Sequence, residues 1–369
     1  MAATAPTPAG AALTGRQRGL LALVAVLTAL AGALHYAGAT ALLAFVVAAA
    51  ALAGLAWVVS FATEQVGERF GPAVTGVLQS TLGNLPEFFV VIFALSQGEV
   101  IVAQFSIIGS IFANALLVLG LVIVVGARQS EDGIMRFSPR LPNDTATLLL
   151  LASFIIVLVG LSSSAGDRAS KHIVAISAIA AVLLLAVYVQ WVIGYLRSGR
   201  SAGDGDGDGE AHGEAKPTLP LRFSIVALAL AGVGAAFVSD WFVAELRPTI
   251  DKLGISEEFA GLVIVAIAGN AVENAAGLVL AAKGEADLAI SVVKNSVAQI
   301  AVFLFPALVL VSLMFADRLT FGLEPVYVGA IFLTAISVWQ VTGDGEASAF
   351  EGWALTATYA LLAALTLFE

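Results

Sequence analysis

The chain is a succession of long apolar runs separated by short polar breaks. Eleven of them are predicted as helices, at about 18–34, 39–62, 70–96, 100–126, 145–163, 172–196, 222–239, 257–282, 286–314, 325–341 and 352–368. Each is close to the roughly 20 residues that a bilayer-spanning helix needs. Alternating apolar and polar positions over strand-length segments are absent, which excludes a membrane β-barrel. The runs are rich in Ala, Gly, Leu and Val, and small residues let lipid-embedded helices approach closely.

Composition agrees with lipid as the main solvent. Of 369 residues 59% are hydrophobic and only 12% are Asp, Glu, Lys or Arg, where a soluble domain has about a quarter charged. Mean hydropathy is +0.97. A soluble protein, a disordered chain and a nucleic-acid binder are excluded. The net charge of -10 sits largely in a few loops. The chain has no cysteine, which removes disulfides, thiolate metal sites and cysteine nucleophiles. With three histidines, a histidine-based zinc site is not expected. No nucleophile–base set is found among the spans, so an enzyme is not expected either.

The positive charges orient the helices. With the N-terminus cytoplasmic, Arg16, Arg18, Arg69, Arg128, Arg136, Arg140, Arg197, Arg200, Lys216, Arg222 and Lys283 fall inside. Arg168, Lys171, Arg247, Lys252 and Arg318 fall outside, and Lys294 lies within a span. This bias follows the positive-inside rule. The apolar run after Arg16 and Arg18 continues almost uncharged into the next one, and so reads as a first span rather than a cleaved leader. No organellar address is evident, and a bacterial-type plasma membrane is the expected location.

Residues 197–221 form an acidic cytoplasmic linker ending in Lys216-Pro217. Its stretch Asp204-Gly205-Asp206-Gly207-Asp208-Gly209 opens like a calcium loop, but the twelfth position, where Glu is needed, is Ala215. A solvated linker is the expected reading.

The segments on either side of the linker repeat each other. Gly83-Asn84-Leu85-Pro86-Glu87 is followed by Gly98-Glu99 and Ser110; Gly269-Asn270-Ala271-Val272-Glu273 is followed by Gly284-Glu285 and Ser296. The offset is constant, since 269−83, 273−87, 284−98 and 296−110 all equal 186. Residues 1–38 then hold a tail and one additional helix, 39–196 a first five-helix repeat and 222–369 a second. Five is odd, so the second repeat enters the membrane inverted, a plan common among secondary transporters. The expected fold is an all-α polytopic membrane protein with eleven transmembrane helices. A site is expected where corresponding helices of the two repeats are interrupted.

The two motifs supply that site's chemistry. Glu87 and Glu273 lie deep in apolar runs, where a carboxylate costs at least about 2.5–3.5 kcal/mol on insertion scales. Asn84 shares a helix face with Glu87 at a spacing of three, and Asn270 shares one with Glu273 and Asn274. The next helices add Ser110 with Asn114 and Ser296 with Gln299. This donor set is almost all oxygen, which suits a hard cation such as calcium. Gly83, Pro86 and Gly269 loosen the helices and release backbone carbonyls. Two carboxylates balance one divalent ion, or hold protons when it leaves. Polar residues that merely glue helices together do not explain two repeat-related buried acids.

At these residues the sequence resembles the calcium/proton exchanger family of the calcium/cation antiporter superfamily, which carries Gly-Asn-x-x-Glu in each repeat. Gly109-Ser110-Ile111-Phe112-Ala113-Asn114 looks like the family's first repeat, and Ser296-Val297-Ala298-Gln299-Ile300 like its second. The resemblance implies exchange of calcium for protons, with Glu87 and Glu273 binding each in turn. It implies no cofactor beyond the transported calcium, with calcium, protons and the bilayer as partners. Three departures stand out. Pro86 is similar to the Pro-Glu pairing of the sodium/calcium branch, Asn274 stands where many members have histidine, and Lys294 is a cation in an apolar run. Sodium/calcium and sodium/proton antiport are the alternatives. Lys294 has two readings at this point: snorkelling to the membrane surface, or partnering a site carboxylate.

Overall fold

The computed structural model describes residues 13–67, 69–70, 78, 81–203 and 219–369. The start of the expected third span and most of the acidic linker therefore lie outside the described residues. Among those described, nine helices are long and apolar enough to cross a membrane, or ten if one bent pair counts as a single span. The helices are α1 (Gly15–Tyr36), α2 (Ala41–Gly67), α3 (Leu85–Ser96) and α4 (Val100–Ala127). After a short strand, β1 (Ile134–Arg136), come α5 (Arg140–Ala165), α6 (Ile173–Gly203) and α7 (Leu221–Leu253). Then follow α8 (Glu257–Gly269), α9 (Ala271–Ala282), α10 (Ala286–Ser312), α11 (Pro325–Thr342), β2 (Glu346–Ser348) and α12 (Ala349–Leu367).

Helices dominate because a segment without water must satisfy its backbone internally. Their ends lie where polar side chains take over. Thr14 and Gln17 make a capping box at the start of α1, as Ser348 and Glu351 do for α12. The strands β1 and β2 pair antiparallel between two loops, with Met135 opposite Ala347. Between the helices, α2 packs along α7, α5 along α11, α4 against both α8 and α12, and α9 against α10.

The crossing of α4 and α8 is close enough to require glycine. A Cβ on Gly109 would lie 2.4 Å from the backbone of Leu262, and one on Gly261 would lie 2.8 Å from Cβ of Phe105. Backbone cannot swing aside as a side-chain tip can. Gly109→Ala is therefore expected to push the two helices apart and destabilise the protein by about 1–3 kcal/mol. A detergent-solubilised melting curve checks this; an unchanged melting temperature would show that the crossing has slack.

Three of the described helices contain wide turns. The backbone of α4 is π-helical over Ala113–Val118, that of α8 over Ala260–Val265 and that of α10 over Ile300–Leu304. Such bulges are frequent at functional sites.

One sequence expectation needs correcting. The seventh apolar run ends near 239, yet α7 continues to Leu253 through Asp240, Glu245, Arg247 and Pro248. At 33 residues it is about 50 Å long, against a hydrocarbon core of about 30 Å. Charges end a lipid-compatible run without ending a helix, because beyond the bilayer they are solvated. There Arg247 bonds Glu99 at 3.2 Å and Glu257 at 2.6 Å. The projecting turns of α7 are thereby tied to the loop before α4 and to the start of α8.

Candidate ion-binding site

The two motif segments have the same local form. Asn84 and Asn270 each precede a helix of 12 residues, with φ, ψ of -87°, 14° and -94°, 10°. In each case the Asn carbonyl accepts the first helical bond at 3.0 Å, from Phe88 N–H and from Asn274 N–H. The helix bounds are offset by the sequence repeat, since 271−85 and 282−96 both equal 186. Each helix ends before a glycine with positive φ, 79° at Gly98 and 80° at Gly284. At Asn270 the axis turns by 62° between α8 and α9.

This geometry puts Glu87 and Glu273 in the first turns of α3 and α9. The exposed backbone N–H groups of a first turn attract negative charge. A carboxylate here is thus partly compensated before any ion arrives. The Gly-Asn step opens each helix and so fixes the acid three residues on in its first turn.

The structure brings the two acids together. Ser60, Gly83, Glu87, Gly269, Val272 and Glu273 line one cavity of about 10 Å³. A neighbouring cavity of the same size is lined by Glu87 with Ser106, Ser110 and Gly269. Each is enough for about one water-sized occupant. Gly269 borders both because it lacks a side chain: a Cβ there would lie 3.0 Å from Cγ of Glu87.

Around the acids runs a polar network that crosses between the halves. Asn270 Nδ2 donates to Ser110 Oγ at 2.8 Å and to the Ala266 carbonyl at 2.9 Å. Asn114 Nδ2 donates to Asn270 Oδ1 and to the Ser110 carbonyl, both at 3.0 Å. Asn84, Ser110, Asn114, Asn270 and Ser296 are all buried.

The acids are not equivalent. Ser296 Oγ donates to Glu273 Oε2. Glu87 Oε2 is buried with no hydrogen-bond partner among the described residues, and its repeat-related serine, Ser110, is engaged by Asn270 instead. A buried acceptor left unmade costs about 1–3 kcal/mol, more when charged. A proton or a cation removes that cost, and the cavity beside Glu87 has room for one. Among the described residues no cluster of three or more His, Asp or Glu forms. The acidic charge at this site is that of two glutamates, with amide, hydroxyl and carbonyl oxygens around them.

Three residues singled out from the sequence stand apart. Gln299, half-buried at the end of the regular part of α10, makes no side-chain hydrogen bond among the described residues. The Oδ1 of Asn274 is buried and likewise lacks a hydrogen-bond partner. Lys294 is 3% exposed and donates to Thr342 Oγ1 at 2.6 Å, at the C-terminal end of α11. Its ammonium is thus buried among the helices at the C-terminal end of α11, where the negative end of a helix dipole favours a cation.

Ser60 and Ser106 line the cavities but were not singled out from the sequence. Each is one polar residue in a long apolar run, a weak signal, because serine is common between packed membrane helices.

A family model described as sodium/calcium exchanger protein matches residues 40–194 and 223–368. The chain is 32% identical over 324 residues to a vacuolar calcium ion transporter of Schizosaccharomyces pombe, covering 86% of this chain and 77% of that protein. It is 28% identical to a Ca(2+)/H(+) antiporter of Synechocystis, covering 91% and 94%. Among solved structures it resembles native YfkE with a TM-score of 0.78 and 26% identity, over 95% of this chain and all of that one. With both halves matched and the linker alone left between them, the chain belongs to the sodium/calcium exchanger protein family.

Proposed function

We propose that the chain exchanges calcium for protons across its membrane, by alternating access at the site between Glu87 and Glu273. The observation that carries this reading is a cavity lined by both glutamates, beside a buried Glu87 oxygen that has no hydrogen-bond partner among the described residues. Two carboxylates match one divalent ion in charge, and the surrounding oxygens suit calcium. When calcium leaves, protons replace it on the same oxygens. The names of the relatives support calcium and protons as the exchanged pair.

In this reading eleven helices cross the membrane, one before two inverted repeats at 39–196 and 222–369. The offset of 186 between 85 and 271, kept in helix bounds and hinge glycines, supports the repeat. Asn84, Asn270, Ser110, Asn114, Ser296 and Gln299 complete the polar lining, with carbonyls near Gly83 and Gly269. Asn274 and Lys294 modulate it. The N-terminus is cytoplasmic, as the distribution of Lys and Arg supports, and the membrane is a bacterial-type plasma membrane.

Flux in proteoliposomes with an imposed pH gradient tests this. Calcium uptake driven by the gradient is expected, with sodium and potassium gradients ineffective. Uptake that follows a sodium gradient and ignores pH would replace the proposal with sodium coupling. Deleting residues 203–214 is expected to leave exchange within about twofold of wild type, because no motif or apolar run is touched. Loss of flux in a well-folded deletion would give the linker an essential part.

A further inference from the structure

The N-terminal helix is outside both repeats, yet it is docked with specific contacts. His35 Nδ1 lies 3.0 Å from Glu245 Oε1, and its ring stacks on Trp241. A Cβ on Gly32 would lie 2.8 Å from the same indole. These contacts close α1 onto α7 at one end only. Farther along, both helices rest on α2, with Val24 against Gly54 and Leu55 against Gly234. Between them a groove of about 610 Å³ stays open, bordered by Leu21, Ala25 and Ala29 of α1 and by Phe223, Ala227 and Leu230 of α7, with Leu55 on its floor. Pockets that take small organic molecules span roughly 300–1,000 Å³.

The groove faces the bilayer. Val26 on α1 and Val226 and Leu230 on α7 are exposed alongside it, so hydrocarbon is their surrounding medium. Three arginines lie at the N-terminal ends of the two helices that border the groove. Arg16 and Arg18 lie in the first turn of α1, and Arg222 in the first turn of α7. All three are exposed. Basic clusters at the membrane ends of adjacent helices recognise anionic headgroups, and guanidinium groups match phosphate oxygens in pairs.

We propose that this groove is a binding site for an anionic phospholipid, with an acyl chain between α1 and α7 and the phosphate on Arg16, Arg18 and Arg222. A zwitterionic lipid fills the apolar part equally well but gains less from the three arginines. A second copy of the chain fits poorly. A twofold contact through this face repeats the same patch on both partners and brings like-charged arginines together at one end. The lipid acts as a wedge that fixes α1 against α7. The inference does not depend on which ion is carried.

Native mass spectrometry of the purified full-length protein tests it, with phosphatidylglycerol and phosphatidylcholine of identical chains added in equal amounts. Retention of phosphatidylglycerol is expected to exceed that of phosphatidylcholine by at least about tenfold, given about 1 kcal/mol per basic residue near an anionic surface. The triple variant Arg16→Gln, Arg18→Gln, Arg222→Gln is expected to lose that preference while keeping its fold, since all three side chains are exposed. Ala29→Trp, which fills the groove, is expected to lower retention of both lipids. Equal retention of the two lipids by wild type would overturn the proposal. So would undiminished phosphatidylglycerol on either variant, or a dimer that dissociates when Ala29 is enlarged.

Discussion

Replacing Glu87 by Gln, or Glu273 by Gln, is expected to reduce calcium/proton exchange to background while the protein stays folded. Glutamine keeps the shape of glutamate and removes its charge. Either change leaves one carboxylate to face a divalent ion in a water-poor interior, where uncompensated charge is costly. It also removes one of the two groups that carry protons back. The two variants are expected to differ in stability. Glu273 accepts a hydrogen bond from Ser296, which a glutamine carbonyl still accepts. Glu87 has a buried oxygen without a hydrogen-bond partner among the described residues, so Glu87→Gln is expected to melt no lower than wild type. Near-normal flux in either variant would show that the altered glutamate is not an essential ligand.

Asn270→Ala is expected to damage the site as strongly by another route. One amide links Ser110, Asn114 and the Ala266 carbonyl, joining α4 to the bend between α8 and α9. Alanine leaves Ser110 Oγ without its Asn270 donor and frees an Asn114 donor, both in buried positions. Each orphaned group costs about 1–3 kcal/mol, so a loss of about 2–5 kcal/mol of stability is expected, together with most of the flux. Asn270→Asp keeps an acceptor for Asn114 but adds a third negative charge, and is expected to fold better than Asn270→Ala while still transporting poorly. An alanine variant with normal melting and normal flux would mean that the network is ornamental.

Much of the site was legible because its chemistry is rare in lipid. A glutamate in an apolar run stands out against an insertion cost of several kcal/mol, and two at a spacing of 186 stand out further. The same spacing recurs in the structure, where α3 and α9 start at 85 and 271 within runs that hydropathy alone read as continuous. Spacing within one half shows which residues share a face, but not which face of the other half they meet. Hence Ser110 paired with Asn114 in the sequence, while their joint partner, Asn270, emerged only in three dimensions. The inequality of Glu87 and Glu273 was hidden for the same reason: equivalent motifs suggest equivalent environments, and Ser110 and Ser296 are used differently.

Helix ends were less legible than helix centres. Hydropathy reports where an apolar run ends, and α7 continues as a helix for more than three turns beyond that point. Pro248 lies inside the helix near its C-terminal end, where only the last turns have to adjust to the missing N–H. Lys294 was ambiguous because an apolar run with one cation fits both snorkelling and partnering a site carboxylate; the hydrogen bond it makes to Thr342, 48 residues away on α11, was not visible in the sequence.

The central claim is that calcium and protons share one pair of carboxylates. Metal binding to protonated ligands releases protons, so apparent calcium affinity weakens as pH falls and each calcium bound expels protons. Titration calorimetry with calcium, repeated in buffers of different ionisation enthalpy between about pH 6 and about pH 8, counts them. The account predicts proton release on calcium binding, with tighter binding at the higher pH and no release in the double Glu87→Gln, Glu273→Gln variant. Calcium bound with no protons released across that whole range would contradict it.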